Sequence, residues 1–398
     1  VRYRAGAPRP TERTPTLPAR LRRRRRHAPT GRPSVAVIGT RGYPSYYGGF
    51  ETAVRRIAPA LVDAGWDVTV YGRDGSTRDD DPARDRRVTS RLTKGVESKS
   101  LSTLSYGLTA VLDALVRRPD AALVMNVANG FWLPLLRLRG IPVLVNVDGI
   151  EWERAKWGRA AKTVFRLGAK ASARFANGLI CDAREIVRRW QADFGVDGLF
   201  IPYGGDPVRD LPVEPGQRHR GYALVVARFV PENTVVEFVE AARAIAERHD
   251  VVIVGSTGYG GELDELVRGL ADEDDRVTWL GHVSDDDRLH ALWQHAGAYF
   301  HGHSVGGTNP ALVQAMFAGA PVVARDTVYN REVLDGAGVL VAPEPAAIAA
   351  AVTALLDDPA EQQRLSEAAL ARAADAYTWR SVCDAYEEAL RATLPRSR

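Results

Sequence analysis

The chain has 398 residues, 45% hydrophobic and 26% charged, a composition that suits two globular domains and excludes a fibrous or wholly disordered protein. Its two cysteines, Cys181 and Cys383, make neither a disulfide framework nor a metal cluster, and no apolar run reaches the ~18 residues of a membrane span; the best, Gly130 to Val147, is broken by Arg137 and Arg139. Residues 1–33 hold 11 Arg and one Glu, a net of +10 against +4 for the whole chain, so residues 34–398 carry −6 and present no nucleic-acid surface.

The arm, residues 1–33, is rich in Arg, Pro and Thr and too poor in apolar residues to fold alone. No apolar stretch follows its basic residues, so it does not read as a secretory leader. A cytoplasmic chain is expected, peripheral on the inner face of the membrane if the run Arg22 to Arg26 meets anionic lipid at ~1 kcal/mol per basic residue. A solvated tail is the plainer alternative.

From Ser34 strands and helices alternate. Val35 to Ile38 reads as a buried parallel strand, followed by the loop Gly39 to Glu51, a helix to about Ala64 and a strand over Trp66 to Tyr71. Further strands read at about 122–126 and 142–147. A helix-rich stretch runs from Glu151 to Trp190 with a strand at 178–181, and 199–202 closes this half. A Pro- and Gly-bearing linker, 206–220, leads to a second half of the same plan. Its strands read at 222–227, 251–255, 277–280, 298–301 and 321–324, with helices at 235–248, 262–270, 286–295 and 309–318. A last helix follows Tyr377-Thr-Trp379 and ends near Ala392. This alternation predicts an α/β chain with two parallel sheets covered on both faces. The expected divisions are a 34–205 domain, a 206–375 domain and a terminal segment, 376–398.

Three strand-to-helix turns carry the chemistry. Gly39-Thr-Arg-Gly-Tyr-Pro-Ser-Tyr-Tyr-Gly-Gly-Phe-Glu51 lets backbone amides approach an anion, although a tight turn explains it equally, and its glycine spacing is not the dinucleotide fingerprint. Val226-Ala-Arg-Phe-Val-Pro-Glu-Asn233 sits at the first strand end of the second half, where ligands of such sheets bind. There Arg228 offers a forked donor to a diphosphate, unless it pairs with Glu232. His301-Gly-His-Ser-Val-Gly-Gly-Thr-Asn-Pro310 repeats the pattern, with Thr308 and Asn309 able to cap the next helix or hold an anion. His301 and His303 lack a carboxylate or Cys partner nearby, so no metal is expected.

These segments, with Val147-Asp-Gly-Ile-Glu-Trp-Glu-Arg-Ala-Lys-Trp157 and Ile201-Pro-Tyr-Gly-Gly-Asp206, resemble the GT-B glycosyltransferases of family 4, in the branch of bacterial polysaccharide rhamnosyltransferase-like enzymes. The resemblance covers about Ser34 to Leu390. It implies two Rossmann-like domains facing a central cleft, with the C-terminal helix crossing back to the first domain. The donor, a nucleoside diphosphate sugar with rhamnose from a dTDP carrier as first choice, should lie on the second domain. A glycan or lipid-linked acceptor should lie on the first, with no cofactor.

By the same resemblance Arg228 holds the diphosphate, where relatives add a Lys five positions on and this chain has Asn233. Relatives carry two glutamates where this chain has Gly306 and Gln314, so Gln314 can offer a ribose only a neutral hydrogen bond. Gly255, His282, His303, Gly307, Thr308 and Asn309 complete the expected donor side. Gly42, Gly48, Gly49, Glu51, Trp152 and Lys156 make the expected acceptor side, although Trp152 can equally serve as core. Asp148 stands where many relatives place a His, as a hydrogen-bond partner of the sugar or acceptor of a proton, or simply as a cap. Two rivals remain: a GT-B sugar-nucleotide epimerase and a non-catalytic sugar-nucleotide-binding subunit. A nicotinamide dehydrogenase is disfavoured, because no acid follows Val70-Tyr71-Gly72 to hold a ribose.

Overall fold

A computed structural model describes residues 31–395 apart from 47, 78–79, 98–101 and 155–156. The Arg22 to Arg26 run and Lys156 lie outside the described residues. The first half runs β1 (Ser34–Ile38), α1 (Gly49–Asp63), β2 (Asp67–Arg73), β3 (Thr89–Thr93), α2 (Ser102–Arg117), β4 (Ala121–Met125), α3 (Leu133–Leu138) and β5 (Val143–Asn146). It continues through α4 (Arg159–Phe175), β6 (Gly178–Cys181), α5 (Arg184–Phe194) and β7 (Leu199–Phe200). The second half runs β8 (Tyr222–Val226), α6 (Val235–Ala246), β9 (Asp250–Val254), α7 (Glu262–Glu273), β10 (Val277–Gly281), α8 (Asp286–His295), β11 (Ala298–His301) and α9 (Pro310–Phe317). Then follow β12 (Val322–Arg325), α10 (Val328–Leu334), β13 (Val339–Val341), α11 (Pro345–Leu356), α12 (Pro359–Ala376) and α13 (Trp379–Thr393).

Two parallel sheets result, in the orders β3-β2-β1-β4-β5-β6-β7 and β10-β9-β8-β11-β12-β13. Each order reverses direction beside its first strand, which leaves a crevice at the carboxyl ends of β1 and β4, and again of β8 and β11. The period-2 alternation of strands builds a core on each face. In the first sheet Val35, Val37, Leu123 and Met125 face α1 and α13, while Ala36, Ile38, Ala122 and Val124 face the α2–α5 side. In the second, Leu224 and Val252 meet α8 and α9, and Val225 and Ile253 meet α6, α7 and α11.

The terminal helix returns to the first domain. Trp379, Val382, Cys383, Tyr386 and Leu390 of α13 belong to the same core as β1 and α1. Two polar contacts fix the docking: Trp66 Nε1 donates to Glu387 at 3.0 Å, and Asn146 Nδ2 donates to the Tyr386 hydroxyl at 2.6 Å. The two crossings between domains lie side by side, with Gly205 N bonded to Tyr377 O at 2.8 Å. Glycine is required there, since a Cβ on Gly204 would stand 2.9 Å from Trp379 Cα.

Candidate active site

The strand-to-helix turns of both sheets converge on one cleft. In the first domain β5 ends at Asn146, whose side chain accepts from the Asp148 amide at 3.0 Å and holds Asp148 in the left-handed region at φ 57°. The neighbouring Gly149 packs against the other domain, as a Cβ there would stand 3.0 Å from Gly306 Cα. One strand over, Asp182 follows β6 and lies 2% exposed. A Cβ on Gly307 would fall 2.1 Å from Asp182 Oδ1, so only glycine lets the two loops meet. The Thr308 amide and hydroxyl both donate to the Asp182 carbonyl. Burial, and then the nearby Asp148, raise the Asp182 carboxyl well above the usual carboxylate range, and its Oδ1 has no hydrogen-bond partner.

On the second domain Arg228 follows β8 and is exposed. It does not pair with Glu232, whose carboxylate lies 3.7 Å from Arg154 Nε of the first domain. The turn bearing Arg228 is stitched to the glycine turn after β11. Asn233 Nδ2 donates to Arg228 O at 2.8 Å, and Asn233 Oδ1 lies 2.5 Å from His303 Nδ1. The amide and hydroxyl of Ser304 both donate to Glu232 O. Asn233 therefore braces the turn bearing Arg228 from behind, with both ends of its side chain engaged by protein. Gly255, at φ 129° after β9, is pressed against the same turn, where a Cβ would meet Ala227 O at 1.7 Å. His282 is exposed at the end of β10.

His301 is buried, with Nδ1 3.0 Å from the Tyr299 hydroxyl, and burial together with His303 lowers its pKa to about 3, so it is neutral. Asn309 caps α9, accepting from Ala311 N at 2.9 Å. Among the described residues no group of three or more His, Cys, Asp or Glu is placed to hold a metal ion.

Two expected side chains have other duties. The Gln314 amide, expected at a ribose, instead grips the backbone of Asp206, donating to its carbonyl at 3.0 Å and accepting from its amide at 3.3 Å. Trp152, expected on the acceptor side, is 8% exposed and packs edge-on against Trp190 and Phe194, with centroids 6.1 and 5.7 Å away. Its indole is too large and apolar to face water when that aromatic core lies beside it.

Around the first loop, Gly42 (φ 137°) packs on Gly72, Gly48 caps α1, and a Cβ on Gly49 would reach 3.1 Å from the Tyr203 hydroxyl. Glu51 is buried and accepts from Arg41 N at 3.1 Å.

Three residues enter that sequence reasoning missed. Asp182 carried a signal, an acid directly after a strand's carboxyl end. Arg154 carried one too, three positions after Glu151, to which it donates at 2.6 Å. Its pKa is pulled down by burial but raised on balance by Glu151, Asp148 and Glu232. Arg73 stands at the end of β2, where a dehydrogenase would place its acid.

Residues 48–204 match a family model described as a glycosyl transferase 4-like domain, and residues 220–358 match one described as glycosyl transferases group 1. A phosphatidyl-myo-inositol mannosyltransferase of Mycobacterium leprae is 33% identical over 207 residues, 49% of this chain and 54% of that protein. The chain thus spans about half the length of that relative. Sucrose-phosphate synthase from Thermosynechococcus elongatus superposes with a TM-score of 0.74 at 20% identity, over 90% of this chain and 98% of that one. Anabaena HepE, solved with UDP and glucose, gives 0.71 at 16% identity over 90% and 99%. Staphylococcus aureus TarM, solved with UDP among its ligands, gives 0.70 at 11% over 91% and 99%.

Proposed function

We propose that this chain, a GT-B glycosyltransferase of the glycosyl transferase 4-like superfamily, moves a sugar from a nucleoside diphosphate carrier to a glycan or lipid-linked acceptor. The observation that carries the reading is Arg228, an exposed guanidinium at the carboxyl end of β8, on a turn stitched through Asn233 and Glu232 to the glycine turn that meets Gly149 and Asp182. Negative charge grows on the leaving diphosphate as the glycosidic bond breaks, so a fixed cation at that point lowers the barrier. Gly306 and Gly307 bring the second domain against Gly149 and Asp182, and Asp148, next to Gly149 at that junction, is the candidate to take the acceptor hydroxyl's proton. UDP-glucose is the first donor to test, because structures of similar fold hold UDP. The motif resemblance argues for dTDP-rhamnose.

Arg228→Ala should lower acceptor-dependent turnover by ~10²-fold or more, the usual weight of one such transition-state contact. Arg228→Lys should restore part of it, since the charge returns without the fork. A fully active alanine variant in a nucleotide-release assay would move the diphosphate elsewhere.

A further inference from the structure

Glu232 is an odd residue to find beside a turn that offers a cation to an anion. It stands shortly after Arg228, in the short turn Pro231–Asn233, with its side chain 11% exposed. Its backbone carbonyl accepts from the amide and hydroxyl of Ser304, which ties it to the glycine turn after β11. Left alone, its carboxylate repels the same ligand that Arg228 attracts.

Its complement comes from the other domain. Arg154 follows the turn Glu151–Glu153, and its side chain is 15% exposed. One end of the guanidinium is firmly held: Nη1 donates to Glu151 at 2.6 Å, and Glu151 accepts in turn from the Trp157 indole at 2.8 Å. The other end is not. Arg154 Nε and Glu232 Oε1 are both shut from solvent, neither atom has a hydrogen-bond partner among the described residues, and they lie 3.7 Å apart. Burial works against the charge of Arg154, and Glu151, Asp148 and Glu232 more than restore it. Two desolvated groups of opposite charge at that distance bear the cost of leaving water without the hydrogen bond that offsets it. An approach to about 2.8 Å would supply that bond. Elsewhere the domains are already at full bonding distance, as where Glu332 accepts from the Arg184 amide at 2.8 Å.

We infer that Arg154 and Glu232 form a latch across the cleft, which draws tight as the domains close and cancels the Glu232 charge beside Arg228. Arg154 is thus a positioning residue. It acts through Glu232 on the turn bearing Arg228, which attracts an anion more strongly in the closed state than in the open one. Closure then strengthens donor binding, and donor binding favours closure by the same factor. The inference rests on the proposed function for the identity of the ligand, and on the two orphaned atoms for the latch.

The test measures UDP affinity by calorimetry and the radius of gyration by small-angle X-ray scattering, both on the full chain. Glu232→Gln decides by sign. Removing a lone carboxylate beside Arg228 would tighten UDP binding. Removing half of the latch should weaken it by at least about fivefold, and should leave the ligand-free chain more expanded than wild type. Arg154→Gln should do the same, and the double variant should lose no more than the worse of the two, since each removes the one interaction. Arg154→Lys keeps the charge without the fork and should recover part of the affinity. If Arg154→Gln does not fold, because Glu151 is then buried without its cation, Glu232→Gln and Arg154→Lys carry the test. UDP bound as tightly or more tightly by Glu232→Gln, or a radius of gyration equal to that of wild type, overturns the latch. If UDP fails to bind wild type while Glu232→Gln still expands the ligand-free chain, the donor reading falls and the latch stands.

Discussion

At the scale of single residues, Asp182 makes the sharpest prediction. Its folded pKa is raised by burial and by Asp148, above the ~3.9 of an unfolded Asp. The folded state therefore keeps a proton that the unfolded state releases. Stability from this group is greatest below about pH 4 and falls as pH rises toward the folded pKa. Asp182→Asn keeps the shape without the titration. It should melt above wild type at pH 7, with the gap closing toward pH 4; a constant gap, or a variant less stable at pH 7, would show the carboxyl to be ionised and held. Residue chemistry was legible where a motif fixes the backbone: Arg228, the glycines at 255, 306 and 307, and the Asn309 cap all sit at strand or helix ends as their positions imply. Partnership was not legible. Nothing in the order of residues says that Glu232 turns to Arg154 rather than to Arg228, because that pairing joins residues of two domains.

At the scale of elements, α9 does two jobs. Its first residues follow the glycine turn of the cleft, and Gln314, a turn later, clasps the Asp206 backbone where the chain crosses between domains. Gln314→Ala should cost about 1 kcal/mol for each hydrogen bond lost, read in chemical unfolding, and should leave the UDP dissociation constant within about twofold. A tenfold weaker UDP would return Gln314 to the ribose. The strands with continuous apolar runs were legible because burial on both faces demands them. The edge strand β3, Thr-Ser-Arg-Leu-Thr, escaped because one exposed edge needs no such run. Helix α2 also escaped, its pattern interrupted by Gly107. That glycine costs helix propensity but is forced by packing, since a Cβ would stand 1.9 Å from Asn129 Oδ1. The case of Trp152 is similar: its spacing fits a cleft wall or a core, and only Trp190 and Phe194 across the fold decide it.

At the scale of the whole molecule, two half-proteins meet through small, specific contacts: Gly149 on Gly306, Thr308 on Asp182, and Glu332 capping the Arg184 and Glu185 amides at 2.8 and 3.4 Å. Few apolar side chains take part in these contacts, which suits domains that open to admit a donor and close to exclude water. The charge distribution adds a prediction. The body carries −6 and the arm +10, so the full chain should sediment with anionic vesicles at low salt. It should release them as the Debye length shrinks from ~10 Å at 0.1 M toward ~3 Å at 1 M. Deleting residues 1–33 should abolish binding and spare turnover on a soluble acceptor; equal sedimentation of both forms at every salt concentration would remove any membrane role for the arm. The two-domain architecture and its cleft were legible from the repeated strand–turn–helix order, whereas the depth of contact between domains was not, because it rests on glycines whose neighbours lie more than a hundred residues away. The central claim is that the turn after β8 holds a nucleoside diphosphate. Calorimetric titration of UDP into wild type and Arg228→Ala tests it most directly. The account predicts one site per chain in wild type and at least a tenfold loss of affinity in the variant; equal affinity in both would contradict it.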